Sequence, residues 1–136
     1  MLKKTIKYTD YDGVEREEDF YFNLNKAEIL EMEMTQAGGL QAFIQKIIST
    51  KDAKEIVKLF KDLVLKSYGE KSPDGRRFIK SEAISEAFSQ TEAYPILFMS
   101  LATDADAAAE FVNGIVPKDL EEDIKKIAEK NIKAVN

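Results

Sequence analysis

The sequence contains no cysteine and no histidine. The first absence excludes disulfide scaffolds, thiolate nucleophiles and cysteine-based zinc sites, and the second removes the imidazole base on which most catalytic triads depend. Long apolar runs are also missing. No stretch approaches the roughly 18 apolar residues of a membrane-spanning helix. The opening Met1-Leu2-Lys3-Lys4-Thr5-Ile6-Lys7 has the positive charge of a secretory leader without the apolar run that must follow it. Nor is there an excess of positive charge: 20 Lys and Arg stand against 25 Asp and Glu, a net charge of −5. General attraction to nucleic-acid phosphates or anionic lipid is therefore not expected. These absences predict a cytoplasmic protein with no cofactor, no metal, no nucleic acid and no membrane among its partners.

The residues that are present describe a folded domain. With 136 residues, 44% apolar and 33% charged, the chain fits one hydrophobic core. Leu2, Ile6 and Tyr8 alternate with polar neighbours. After Asp10-Tyr11-Asp12-Gly13 the alternation resumes through Val14, Phe20 and Phe22, which predicts a β-hairpin over 1–22 with a lysine-rich strand facing an acidic one. Asn25 is placed to cap a helix over 26–36, and Leu40, Phe43, Ile44, Ile47 and Ile48 recur at helical spacing after Gly38-Gly39. From an Asp52 cap, a continuous stripe of Ala53, Ile56, Val57, Phe60, Leu63 and Val64 predicts the clearest amphipathic helix.

Residues 69–80 read as a loop around Pro73-Asp74-Gly75. Helices are expected to start at Ser81, at Thr91, and at Thr103 or Asp104, the last stopped by Gly114. Pro117 opens a final helix to about Ala134. The predicted fold is mainly α, an N-terminal β-hairpin packed on a bundle of about six helices. Residues 1–116 would form the core domain, and 117–136 a separable amphipathic helix.

Candidate chemistry is sparse. Asp104, Asp106 and Glu110 are hard-cation ligand types, but acids at a helix start also complement its dipole, and no second ligand segment accompanies them. Gly69, Gly75, Arg76 and Arg77 lack the glycine spacing of a phosphate-binding loop. Ser85 and Ser100 have no visible base. No catalytic residue is assigned, and an enzyme is not expected.

Apolar residues off the predicted buried stripes remain. Ile96 and Met99 project away from the side shared by Tyr94, Leu97, Phe98 and Leu101; Leu65 lies opposite the stripe of its helix; Ile29 and Met32 face away from Ala27, Leu30 and Met34. Two readings fit: helices wrapped on both sides, or a contact patch in which methionine suits an adaptable surface. On the second, Ile29, Met32, Leu65, Ile96 and Met99 are the candidate partner-binding residues.

Three further runs carry a family likeness. Tyr11-Asp12-Gly13 through Asn23-Leu24-Asn25-Lys26-Ala27-Glu28, Lys66-Ser67-Tyr68-Gly69-Glu70-Lys71-Ser72 with Asp74-Gly75-Arg76-Arg77-Phe78, and Glu86-Ala87-Phe88-Ser89-Gln90-Thr91-Glu92-Ala93-Tyr94 resemble the tail assembly chaperones of long-tailed phages and prophages of Gram-positive bacteria. Leu101 to Phe111 extends the likeness. It implies a non-catalytic protein that binds and solubilises the tape measure protein during tail morphogenesis, acts in the host cytoplasm and is absent from the mature virion. It further implies the major tail tube protein as a second partner and a longer form made by ribosomal frameshifting, while the open backbone groups along a two-stranded hairpin edge predict self-association into a ring or spiral. The competing reading is a small prophage or bacterial adaptor that binds another protein through the same off-stripe residues.

Overall fold

The structure, a computed structural model, describes residues 1–35 and 53–117. Strands β1 (Leu2–Thr9) and β2 (Glu15–Phe22) form the expected hairpin, followed by helices α1 (Lys26–Thr35) and α2 (Ala53–Ser67). Two short strands come next, β3 (Tyr68–Lys71) and β4 (Phe78–Ile79), and then helices α3 (Glu82–Ser89), α4 (Ala93–Thr103) and α5 (Ala105–Ile115). The expected helices over 40–49 and after Pro117 lie outside the described residues.

The expectation of a mainly α bundle is overturned. The hairpin is the first half of a four-stranded antiparallel sheet in the order β1-β2-β3-β4, so the described fold is mixed, a sheet combined with five helices. The missed strands fall where a loop was expected. β4 has only two residues, too few for an alternating pattern, and Gly69 in β3 reads as a breaker. Its real role is close approach: a Cβ there would sit 2.6 Å from the Phe78 ring and 2.9 Å from the Ile79 carbonyl. The turn between β3 and β4 is held by Ser72, whose hydroxyl donates to Asp74 at 2.6 Å and accepts from the Arg77 N–H at 3.0 Å. Gly75 adopts φ +74° there, a conformation a side chain disfavours.

The hairpin turns on Asp10. One carboxylate oxygen accepts from the Asp12 and Val14 N–H groups, each at 2.9 Å, and the other from Arg16 Nε at 2.6 Å. These donors hold the Asp10 carboxyl below the usual carboxylate range. Gly13, at φ +81°, completes the turn by donating its N–H to the Asp10 carbonyl at 3.0 Å.

Even-numbered strand residues face the helices and odd-numbered ones face solvent, which is why Ile6, Phe20 and Phe22 are buried while Lys3, Thr5, Lys7, Glu17 and Asp19 are exposed. Phe22 is the hub. Its ring meets Tyr68 at 5.6 Å, Phe88 of α3 at 5.8 Å and Phe111 of α5 at 5.2 Å. Tyr68 and Phe88 stack at 4.2 Å. Buried among these rings, and beside Glu70, the Tyr68 phenol is pushed up to about 12.

α1 is anchored by a reciprocal cap. Asn25 Oδ1 accepts from the Glu28 N–H at 2.8 Å, and Glu28 Oε1 accepts from the Asn25 N–H at 3.0 Å. The second Glu28 oxygen accepts from Lys80 Nζ at 2.6 Å, and Lys80 also donates to the Asn23 carbonyl at 2.6 Å. This clamp ties the start of α1 to the segment leading into α3. Gly114 does not stop α5, which continues to Ile115. It lets α5 approach β1, since a Cβ there would lie 2.8 Å from Leu2 Cδ1.

Candidate functional site

α4 has eleven residues and no charged side chain. Its start differs from expectation. Thr91 donates both its N–H (3.0 Å) and its hydroxyl (2.8 Å) to the Phe88 carbonyl, closing α3, so that Glu92 is the N-cap of α4 and makes no side-chain capping bond. Pro95 sits in the first turn, where a missing N–H breaks no helical bond. Ala93, Leu97 and Leu101 are buried in the core, and Tyr94 and Phe98 pack against it. The opposite face is bare: Ile96 is 45% and Met99 57% exposed. Neighbouring hydroxyls do little to make this face polar, because Ser100 donates to the Leu97 carbonyl and Thr103 to the Met99 carbonyl, both at 2.7 Å. The result is an uncharged, largely apolar helix face on a protein that is one-third charged.

The five sequence-derived candidates separate into three groups. Ile29 and Met32 are core residues, 0% and 1% exposed, while Leu30 on the same helix is 38% exposed. The face of α1 expected to be buried is therefore the outer one at Ala27 and Leu30. Its apolar residues are not segregated to one side, so periodicity gives no orientation; the Glu28–Lys80 clamp coincides with the one adopted. Leu65 is half-buried against the core. Ile96 and Met99 remain, one turn apart on one face, and these are the two that the structure brings together in the open. Val57, within the predicted buried stripe of α2, is 46% exposed; nothing in its spacing distinguishes it from its buried neighbours.

In the polar groove beside α3 the serine hydroxyls are engaged in the protein's own bonds. A groove of about 780 Å³ beside α3 is lined by Lys80, Ser81, Ser85 and Ser89 among others. Ser81 caps α3 by accepting from the Ile84 N–H at 3.1 Å, Ser85 donates to the Leu65 carbonyl at 2.9 Å, and Ser89 donates to the Glu86 carbonyl at 2.6 Å. Asp104 caps α5, accepting from the N–H groups of Asp106 at 3.0 Å and Ala107 at 3.2 Å. Among the described residues no group of three or more acids is placed to hold a metal ion.

A family model described as phage tail assembly chaperone matches residues 1–135. The chain belongs to that family. Neither the curated proteins nor the solved structures contain a match to it. Membership in a chaperone family points to a protein that works by binding tail proteins rather than by catalysis. In this chaperone the uncharged face of α4 stands out, since binding by occupancy needs accessible apolar surface and not an activated nucleophile. No described helix is long and apolar enough to cross a membrane.

Proposed function

We propose that this chaperone binds the tape measure protein and keeps it soluble before the tail tube encloses it, using the α4 face around Ile96 and Met99. The observation that carries this reading is the exposure of those two side chains on a helix without charge. An elongated helical protein awaiting its tube presents apolar stripes, and an amphipathic helix docks most readily on a complementary apolar strip. Methionine is well suited to such a strip because its unbranched thioether adapts to different neighbours. The remaining surface keeps the complex in solution through its charge.

The proposal places the protein in the host cytoplasm during assembly and outside the finished tail. It includes a longer form made by frameshifting, detectable by mass spectrometry as a second product sharing the same N-terminal peptides. Residues 117–136 are proposed as a segment separable from the core. In support, the described core already closes with Phe111 and Ile115, both 0% exposed, and with the Leu24 N–H donating to the Ile115 carbonyl at 2.8 Å. The test of function is co-expression with the tape measure protein. Tape measure protein recovered in the soluble fraction only when this chain is present is the expected result; equal recovery without it contradicts the proposal.

A further inference from the structure

β2 is paired along its whole length on one side and over only part of it on the other. β1 meets it from Thr9↔Glu15 to Leu2↔Phe22, whereas β3 meets it only at Tyr21↔Gly69 and Phe22↔Tyr68 before turning to β4. The register explains the break. Carried on, β3 would set Lys71 against Asp19 and Pro73 against Glu17. Proline has no N–H to donate, and the chain instead folds back on the Ser72–Asp74 hydrogen bond. A cleft of about 570 Å³ is left where the strands part, with Glu18 and Asp19 on one wall and Glu70, Lys71 and Pro73 on the other.

The phase of the ladder decides which backbone groups face the open side. In an antiparallel pair, alternate residues direct both N–H and C=O at one neighbour, and the residues between direct theirs to the other side. The Asp10 N–H donates to the Val14 carbonyl at 2.9 Å, so Arg16, Glu18 and Phe20 of β2 bond to β1. Beyond β2, the Asn23 N–H donates to the Ser67 carbonyl at 2.8 Å, in the same phase. The backbone groups of Glu15, Glu17 and Asp19 therefore face the opening. Their side chains are exposed on the solvent face of the sheet, where Lys7 lies across the ladder from Glu17. A basic residue on the open side would complete that row. Lys71, the cation on the opposite wall, is instead held over the Tyr21 ring, 4.4 Å from its centroid.

We propose that this cleft takes an extended basic segment of another protein, added as a strand antiparallel to β2 with Lys or Arg opposite Glu15, Glu17 and Asp19. Strand addition draws affinity from main-chain hydrogen bonds and specificity from alternate side chains. Here the open backbone groups supply the first and the three carboxylates the second. The other free edge does not compete. β1 is the outermost strand, and its Lys3 and Lys7 repel a basic strand laid beside them. A lone segment also fits the cleft better than the edge of a second copy. Adjacent strands lie about 4.8 Å apart, and β1 of another molecule would bring its own β2 to the far side, where the wall at Lys71, Pro73 and Gly75 stands. The ladder is short and charged, so affinity falls with salt. The cleft lies on the sheet and not on α4, so the proposal holds or fails apart from the tape measure reading.

The probe is a short synthetic peptide of alternating lysine and threonine, titrated into the full chain at low salt and followed by amide hydrogen exchange. Slowed exchange at the Glu15, Glu17 and Asp19 N–H groups, with those of Lys3, Thr5 and Lys7 unchanged, is the expected result. Slowed exchange at the β1 amides, or at neither strand, overturns the proposal. Two methylated peptides separate a ladder from charge alone. N-methylation of the lysines removes the donors that face β2 and should weaken binding about tenfold; N-methylation of the threonines removes donors that face away and should leave it unchanged. A lysine-methylated peptide that binds as well as the parent contradicts the proposal. Glu15→Gln combined with Glu17→Gln should lower the affinity several-fold with the circular dichroism spectrum kept, and undiminished affinity in that folded variant counts against it equally. Protection of the same three amides on raising the protein concentration without peptide would assign the cleft to a second copy and overturn the proposal.

Discussion

Phe22 and Tyr68 set the stability of the molecule at the scale of single residues. Phe22 is fully buried and bridges the sheet to α3 and α5, and truncating it opens a cavity in a core that can relax only in part. Phe22→Ala should cost about 3–5 kcal/mol, measured by denaturant unfolding. Tyr68 gives a pH signature. Its pKa is raised in the fold from 10.0 to about 12 by burial, with a contribution from Glu70. A raised folded pKa contributes stability that is complete below the unfolded value and is lost as pH rises through the folded one. Unfolding free energy should therefore decline between pH 10 and pH 12, by roughly 2–3 kcal/mol if the full shift is expressed. Tyr68→Phe keeps the stack on Phe88 and should flatten that decline, as followed by denaturant titrations at stepped pH. An unchanged slope would show that the phenol titrates as freely in the fold as outside it.

At the scale of elements, the hairpin and α2 to α5 could be read from the sequence because each carries its signal locally: an Asp-Gly turn between alternating runs, capping residues, and spacing near 3.6. The strands β3 and β4 could not, since their pairing depends on partners distant in sequence and Gly69 is there for the approach of Phe78. Of the five candidate residues, the exposure of two, Ile96 and Met99, was legible for the same reason. In α4 the buried residues fall on one side, so Ile96 and Met99 stand out as surplus; in α1 the orientation coincides with a side-chain clamp from Lys80, fifty-two positions away from Glu28, and Ile29 and Met32 went inward. Replacing Ile96 and Met99 together with Asp should leave the melting temperature within a few degrees, because exposed substitutions usually change stability by about 0.5 kcal/mol or less. The same protein should no longer keep the tape measure protein soluble. Loss of folding in this variant, read by circular dichroism, would return both side chains to a structural role.

For the whole molecule, the described core joins a four-stranded sheet to five helices, and its buried set reaches as far as Ile115. Removing residues 118–136 should therefore preserve the cooperative unfolding transition, monitored by calorimetry; a broad or absent transition would make that segment part of the fold. The proposed function rests on an apolar helix face borne by a charged body. Its most direct measurement is hydroxyl-radical footprinting of the methionines with and without the tape measure protein. Met99 is 57% exposed, Met1 61% and Met32 1%, so one protein contains the probe, an exposed reference and a buried reference. Oxidation of Met99 should fall toward the level of Met32 when the tape measure protein is added, with Met1 unchanged. A bound, soluble tape measure protein that leaves Met99 oxidation where it was would contradict the account.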